Sequence, residues 1–219
     1  MNLEEALAAS PVVAILRGVR PEEVVAITEA LYQSGVRGVE VPLNSPEALQ
    51  SIQRLTEAFG DRMVCGAGTV VHPQQVHEVA EVGGRIIVAP NTNPEVIRRS
   101  VKLGLDPAPG FGTASEAFEA IDAGARHLKL FPAATYGVGH VRQLKAVLPP
   151  EVVVWAVGGV GASTMADWWA VGVRAFGIGS EIYLPGQTVE ATHEKARKLV
   201  AAAAELTAVP VAPRALSQG

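Results

Sequence analysis

The sequence feature that most constrains the fold is an alternation repeated eight times, in which a short continuous apolar segment is followed by a turn and then by a longer helical stretch. Apolar segments without polar alternation are typical of parallel strands that are buried on both faces. The segments begin roughly 20 to 26 residues apart, the length of one strand, one helix and two short connections. The predicted strands are Val12 to Leu16, Gly38 to Pro42, Met63 to Ala67, Ile86 to Ala89, Asp106 to Gly110, His127 to Leu130, Val153 to Val157 and Arg174 to Ile178.

Helix-boundary signals divide the chain in the same way. Proline favours the first turn of a helix, and glycine favours the position just after its end. The predicted starts include Arg20-Pro21-Glu22, Ser45-Pro46-Glu47 and Asn93-Pro94-Glu95, and the predicted ends include Ser34-Gly35, Leu103-Gly104 and Ala123-Gly124.

Eight such units predict an α/β fold, a single (β/α)8 TIM barrel, for which 219 residues is an ordinary length. The alternative is an open doubly wound sheet, which usually carries a GxGxxG turn after its first strand, and residues 16–20 do not supply that turn. We expect the barrel domain to occupy residues 1–205, with a closing helix over residues 190–205. We expect residues 206–219 to form a flexible C-terminal tail.

Charge and composition exclude several partner classes. The formal net charge is −4 and the 18 Lys and Arg residues form no stripe, so we expect no nucleic-acid partner. The apolar segments are far shorter than the roughly 20 residues that a membrane span needs, so we expect no membrane partner. The acidic start, Met1 to Glu5, lacks the pattern of a signal peptide, and we expect a cytoplasmic protein that binds small molecules.

A metal or cofactor site is also not indicated. Cys65 is the single cysteine, and the five histidines show neither HxH nor HExxH spacing. We therefore expect no bound metal and no cofactor.

Active sites of these barrels lie at the C-terminal ends of the strands, where this chain has few reactive side chains. Lys129 is flanked by apolar residues inside the sixth predicted strand, whereas Lys102, Lys145, Lys195 and Lys198 fall on helical stretches. Burial disfavours the ammonium form and lowers the pKa of a lysine, which makes its amine available to attack a carbonyl. The alternative is a lysine that is permanently ion-paired or that reaches out of the barrel mouth.

Glu40 is a second charge inside an apolar strand, the second predicted one. Burying a carboxylate there costs free energy unless it is paired or its pKa rises. This cost is smaller if the side chain faces the barrel interior than if it faces the surrounding helices. A glutamate and a lysine in one barrel mouth supply a proton carrier and a nucleophile for imine chemistry. A structural ion pair between them is the alternative.

Other candidates lie at the remaining strand ends. Arg17 offers a planar fork for a carboxylate or phosphate, and the hydroxyl of Thr69 is able to bind the same acid group. The glycine-rich loops after the seventh and eighth strands are where phosphate commonly binds in these barrels, with a following helix N-terminus adding positive charge. Their candidate residues are Gly158, Gly159, Gly179 and Ser180; the alternative is that the glycines only permit tight turns.

Six motifs lie along the predicted barrel strands and their loops: Ala14-Ile15-Leu16-Arg17-Gly18, Val39-Glu40-Val41-Pro42-Leu43, Gly66-Ala67-Gly68-Thr69-Val70, Pro109-Gly110, Leu128-Lys129-Leu130-Phe131-Pro132 and Val157-Gly158-Gly159-Val160. Through these motifs the chain resembles, over nearly all of residues 10 to 205, the 2-dehydro-3-deoxy-phosphogluconate/phosphogalactonate aldolase family.

The resemblance implies a metal-independent class I aldolase, usually a homotrimer, with Lys129 forming the pyruvate imine and Glu40 acting as acid and base. It assigns Arg17 and Thr69 to the substrate carboxylate and the glycine loops to phosphate. We add Pro90, Phe131 and Val157 to the substrate-binding set.

Within that family the chain looks more like the phosphogalactonate branch. The gluconate enzymes typically resemble Pro-Thr-Gly-Gly where this chain has Ala156-Val157-Gly158-Gly159. Val157 therefore removes a hydroxyl that could bond the C4 hydroxyl of the substrate, which should change discrimination between the C4 epimers. Two departures from the family pattern are the proline-rich fifth strand, residues 106–112, and the loop Ala133-Ala134-Thr135-Tyr136.

We accordingly expect cleavage of 2-dehydro-3-deoxy-6-phosphogalactonate to pyruvate and D-glyceraldehyde 3-phosphate. The alternatives are the phosphogluconate substrate or dual specificity, a phosphosugar epimerase or isomerase, and a non-catalytic phosphosugar sensor.

Overall fold

The computed structural model describes residues 1–208, and within them every strand pairing is parallel. The strands are β1 (Val12–Ile15), β2 (Gly38–Pro42), β3 (Val64–Gly68), β4 (Ile86–Val88), β5 (Asp106–Ala108), β6 (Gly110–Phe111), β7 (His127–Leu130), β8 (Val153–Val157) and β9 (Val173–Ile178). They form one sheet in the order β5-β4-β3-β2-β1-β9-β8-β7-β6.

The order begins with β5 and ends with β6, which are consecutive parts of the fifth predicted strand. The two edges of the sheet therefore meet, and the sheet closes into a barrel. Pro109 separates β5 from β6, and a proline has no N–H to donate to a strand ladder. On one side β5 pairs with β4, and on the other β6 pairs with β7, where the amide of Lys129 also donates to the carbonyl of Pro109 at 2.9 Å. The (β/α)8 barrel is confirmed, but the expectation of one unbroken fifth strand is wrong because of this proline.

Nine helices surround or cover the barrel within residues 1–208: α1 (Leu3–Ala9), α2 (Val24–Gln33), α3 (Ala48–Phe59), α4 (Pro73–Glu81), α5 (Pro94–Lys102), α6 (Ala114–Asp122), α7 (Ala133–Leu144), α8 (Met165–Ala170) and α9 (Val189–Ala208). Helix α9 runs three residues past the predicted limit at Glu205, so residues 206–208 are helical rather than part of a tail. The rest of the predicted tail, residues 209–219, lies outside the described residues.

Helix α1 was not predicted. Asn2 and Glu5 form a capping box in which each side chain bonds the other's backbone amide. Leu3 and Ala6 are 1% exposed and pack with the side chains that fill the barrel, so α1 closes its N-terminal end. The Asn-x-x-Glu spacing was the available sequence signal.

The core has two layers that follow the alternation of each strand. Residues such as Val39, Val41, Leu128 and Leu130 pack outward against the helices. Their neighbours in the strand face the barrel interior, where the apolar filling includes Val13, Ile15, Ile86, Trp155 and Val157. Because of this alternation, the side chains of Glu40 and Lys129 face the barrel interior.

Candidate active site

A cavity of about 370 Å³ opens at the C-terminal end of the barrel strands. It is bordered by Lys129 at its base and by the loops that follow β1, β7, β8 and β9. Most of the predicted site residues therefore share one cavity. Those that line it are Arg17, Lys129, Phe131, Val157, Gly158, Gly159, Gly179 and Ser180, while Glu40, Thr69 and Pro90 are not in its lining.

Lys129 is buried, with 6% of its surface exposed, because Leu128 and Leu130 occupy the outward positions on either side of it. Its Nζ atom lies 4.8 Å from the centre of the Phe131 ring, a cation–π distance. Burial lowers the pKa of Lys129 below its ordinary value; the nearby negative charge of Glu40 opposes this shift, and Arg17 adds to it. The site thus favours the neutral, nucleophilic amine.

Glu40 is buried even more completely, at 2% exposure. Desolvation raises the pKa of its carboxyl to about 7, although the positive charges of Lys129 and Arg17 both act to lower it. Its Oε2 atom has no hydrogen-bond partner among the described residues. A carboxyl with a pKa near 7 is poised both to accept and to return a proton near neutral pH.

Gly68 of β3 makes room for the Glu40 side chain. A Cβ atom placed on Gly68 would lie 1.9 Å from Oε2 and 2.5 Å from Oε1 of Glu40, which is impossible without moving the carboxyl group. The carboxylate therefore lies directly against the Gly68 backbone.

No ion pair joins Glu40 to Lys129 in the part of the chain that the structure describes. The two groups feel each other's charge, as their pKa values indicate, but neither is locked to the other. A permanent structural ion pair, the alternative left open by the sequence, is not what this geometry shows.

Arg17 lies at the exposed rim, two residues beyond the end of β1. Its Nη1 atom donates to Oδ1 of Asn44 at 2.7 Å, and the amide of Gly18 donates to Oγ of Ser45 at 2.9 Å. These bonds fasten the loop after β1 to the loop after the strand that carries Glu40. The guanidinium group is thereby held over the cavity with other N–H groups still available to an anion.

Thr69 and Pro90 are half-buried just after β3 and β4, on the side of the barrel where Glu40 lies. Thr69 follows Gly68 and has a φ of 59°, a left-handed conformation that costs a β-branched residue of the order of 1–3 kcal/mol. The carbonyl of Pro90 packs against Gly110, where an added Cβ would lie 2.2 Å from it.

The loops after β8 and β9 differ from the expectation in one respect. Gly158 and Gly159 have φ values of 94° and 73°, a conformation that favours glycine, and a Cβ on Gly179 would meet nothing within 4 Å. Neither loop leads directly into a helix: α8 begins at Met165, and after β9 the amides of residues 182 and 183 bond the carbonyl of Gly179 in a single turn. The predicted following helix is therefore present after the first loop, as α8, whereas the second loop has only this single turn; the loop backbone amides are the available anion donors.

Sequence reasoning missed several residues of the site. No role was predicted for Asn44, and Gly68 was included only as part of a motif, because their contacts depend on which strands are neighbours. Alternation does carry a signal, since Glu40 and Gly68 both face inward on adjacent strands. The remaining wall of the cavity includes Tyr183, Leu184 and Pro185.

Within residues 1–208, no cluster of three or more His, Cys, Asp or Glu side chains could hold a metal ion. None of the helices in this range has the length and apolar character needed to cross a bilayer.

Comparison with known proteins matches the chain, over residues 3–197, to the family described as KDPG and KHG aldolase. It is 46% identical over 192 residues to 2-dehydro-3-deoxy-6-phosphogalactonate aldolase of Escherichia coli (strain K12), covering 88% of this chain and 94% of that one.

Two solved structures are also similar. One, described as native KDPGal, has a TM-score of 0.89 and 45% identity, covering 91% of this chain and 97% of that one. Another, a KDPG aldolase from Legionella pneumophila with pyruvate captured as a covalent carbinolamine, has a TM-score of 0.80 and 28% identity, covering 89% of this chain and 96% of that one. The chain therefore belongs to the KDPG and KHG aldolase family.

Proposed function

We propose that this chain is a class I aldolase that cleaves 2-dehydro-3-deoxy-6-phosphogalactonate to pyruvate and D-glyceraldehyde 3-phosphate. One observation carries the proposal: Lys129 and Glu40 are both buried at one end of the barrel without an ion pair, and burial moves both pKa values toward neutrality. The names of the similar proteins support the substrate class.

The reaction begins when the neutral amine of Lys129 attacks the C2 carbonyl and forms a carbinolamine. Loss of water then gives a protonated imine. Glu40 takes the proton of the C4 hydroxyl, and the C3–C4 bond breaks. The electron pair of that bond moves into the imine to form an enamine, and the aldehyde leaves. Protonation of the enamine carbon, with Glu40 or its water as the acid, and hydrolysis of the imine release pyruvate and restore the amine.

The rest of the site holds the substrate in this geometry. In the proposal Arg17 and Thr69 bind the carboxylate end, while Gly158, Gly159, Gly179 and Ser180 bind the phosphate through backbone amides and a hydroxyl. Pro90 and Phe131 complete the contacts with the sugar chain.

Val157 is the observation that favours the galacto epimer over the gluco epimer. It is the last residue of β8, 4% exposed, and its side chain lines the cavity next to Lys129. An apolar side chain there supplies no hydrogen bond to a C4 hydroxyl of either configuration. The hydrogen bond that a threonine at this position would give to the gluco epimer is therefore absent.

We also propose that the protein is a homotrimer with a cytoplasmic location. The resemblance implies a homotrimer, and light scattering coupled to gel filtration tests it: a mass near three times 22.9 kDa supports a trimer, and a monomer refutes it. A cytoplasmic location is tested by cell fractionation.

Steady-state cleavage of the two epimers tests the function, with pyruvate as the measured product. We expect a higher kcat/KM for the galacto epimer, no loss of activity in chelator, and no activity in Lys129→Ala. Equal or reversed kcat/KM values would assign dual or gluconate specificity. The lysine mechanism is contradicted if chelator removes the activity and a divalent metal restores it. It is also contradicted if Lys129→Ala retains activity. Substrate binding without turnover in the wild type would favour a sensor.

A further inference from the structure

A hydrogen-bond chain that joins two buried side chains to an exposed carboxylate lies below Lys129, toward the N-terminal end of the barrel. The indole Nε1–H of Trp155 donates to Nδ1 of His127 at 3.1 Å, and Nε2 of His127 lies 3.3 Å from Oε1 of Glu4 on α1. Trp155 is 1% exposed and His127 is 4% exposed. Neither residue has a part in the mechanism above.

The donors and acceptors of this chain define the state of His127. An indole N–H only donates, so Nδ1 of His127 must accept and therefore carries no proton. Its proton then lies on Nε2, facing the Glu4 carboxylate. A doubly protonated ring could not accept the indole bond, and burial lowers the pKa of His127 even though Glu4 and Asp106 both act to raise it.

Trp155 occupies a particular place relative to Lys129. The two residues are register partners on β7 and β8 and face the barrel interior side by side, while His127 lies two residues before Lys129 on the same strand. Below them is a second cavity of about 260 Å³, lined by Glu4, Asp106 and His127 at the N-terminal end of the barrel. His127 borders this lower cavity and Lys129 borders the upper one, while Trp155 lines neither and bonds His127 beside Lys129.

We propose that Trp155 is a positioning residue for Lys129, held in its orientation by His127, and that the pair forms a water-excluding floor under the nucleophile. This inference rests on the proposed role of Lys129. The indole bond allows one orientation of the ring, because turning it away would leave a buried N–H without a partner. With the floor in place, water reaches Lys129 from the substrate side only.

The consequence for chemistry is a pH dependence of imine formation. The charges that face Lys129 are those of Glu40 on β2 and Arg17 after β1, and those that face His127 are Glu4 on α1 and Asp106 on β5. An opened floor would hydrate the ammonium form of Lys129 and raise the pH at which its amine becomes free. For each pKa unit of such a rise, the free amine at a given lower pH falls about tenfold.

The test measures the rate at which pyruvate and borohydride form an adduct on Lys129, as a function of pH, in the full chain. His127→Leu leaves the indole N–H unpaired, and we expect its profile to move to higher pH with at least about a tenfold slower rate at neutral pH. The double variant Trp155→Phe/His127→Leu replaces both partners with apolar groups, and we expect it to recover most of the wild-type rate. Trp168→Phe, a buried tryptophan of the outer layer on α8, is the matched control and should leave the profile unchanged.

The outcomes separate the inference from the proposed function. An adduct in the wild type with an unshifted profile in His127→Leu would overturn the inference and leave the lysine mechanism intact; so would a double variant as impaired as the single one. Should His127→Leu not fold, two other variants carry the test. Trp155→Leu must shift the profile, and His127→Gln, which retains an acceptor for the indole, must not; the opposite result in either refutes the floor.

Discussion

The buried carboxyl of Glu40 should lower the stability of the protein above neutral pH. The unfolded chain ionises this group near 4.5, whereas the folded chain does so only near pH 7. At about 1.4 kcal/mol per pKa unit, holding Glu40 ionised inside the barrel costs roughly 3 kcal/mol. The stabilisation due to the protonated carboxyl is complete below pH 4.5 and is lost as the pH rises through about 7.

Glu40→Gln removes this cost because an amide does not ionise. We expect the variant to be more stable than the wild type at pH 8.5, by about 1 to 3 kcal/mol, and to differ little at pH 4.5. This figure already includes the attraction of Lys129 and Arg17, because both charges act on the pKa of about 7. Aldol cleavage should be abolished in the same variant.

Urea unfolding at the two pH values measures the difference directly. Glu119→Gln, at an exposed position on α6, is the matched control and should change stability by less than about 0.5 kcal/mol at both pH values. The reasoning is refuted if Glu40→Gln is no more stable than the wild type at pH 8.5, or if its effect is the same at both pH values.

Three further predictions concern other residues. Gly68→Ala should lower kcat at least about tenfold with little change in pyruvate-imine trapping, because its Cβ would displace the Glu40 carboxyl and leave Lys129 in place; unchanged kcat would contradict the contact. Val157→Thr should raise kcat/KM for the gluco epimer relative to the galacto epimer, and an unchanged ratio of the two constants would argue against a role in epimer choice. Asn2→Ala should reduce the free energy of unfolding by about 1 kcal/mol through loss of the α1 cap, while kcat/KM at neutral pH stays within about twofold; a parallel loss of activity would mean that α1 affects the site more strongly than packing suggests.

Strand and helix order was largely predictable from the sequence, because the continuous apolar segments and glycine-ended helices repeat with little ambiguity. The exceptions have local causes. Pro109 breaks the fifth strand where its apolar neighbours predicted continuity, and the Asn2 and Glu5 capping box starts a helix too short to show amphipathic periodicity.

The positions of Lys129 and Glu40 were predictable for a different reason. Burying a charged side chain in an apolar strand costs free energy wherever it faces. Because side chains alternate along a strand and Val39 and Leu128 face outward, Glu40 and Lys129 face the barrel interior. Their roles are proposals, but their shared burial follows from that cost.

The contacts between strands were not predictable, because they depend on the closed ring. Gly68 makes room for Glu40 only because β3 lies beside β2, and Trp155 meets His127 only because β8 lies beside β7. Asn44 reaches Arg17 across 27 positions of sequence, from the loop of a neighbouring strand. A single strand considered by itself contains none of this information.

The central claim is that Lys129 forms the imine, and reductive trapping tests it most directly. The protein is incubated with pyruvate and borohydride, and the adduct is located by intact mass and peptide mapping, with Lys195→Ala and Lys129→Ala measured in parallel. We expect one adduct per chain on Lys129, retained in Lys195→Ala and absent from Lys129→Ala. Folded wild-type protein that forms no adduct, or forms it on another lysine, would contradict the account.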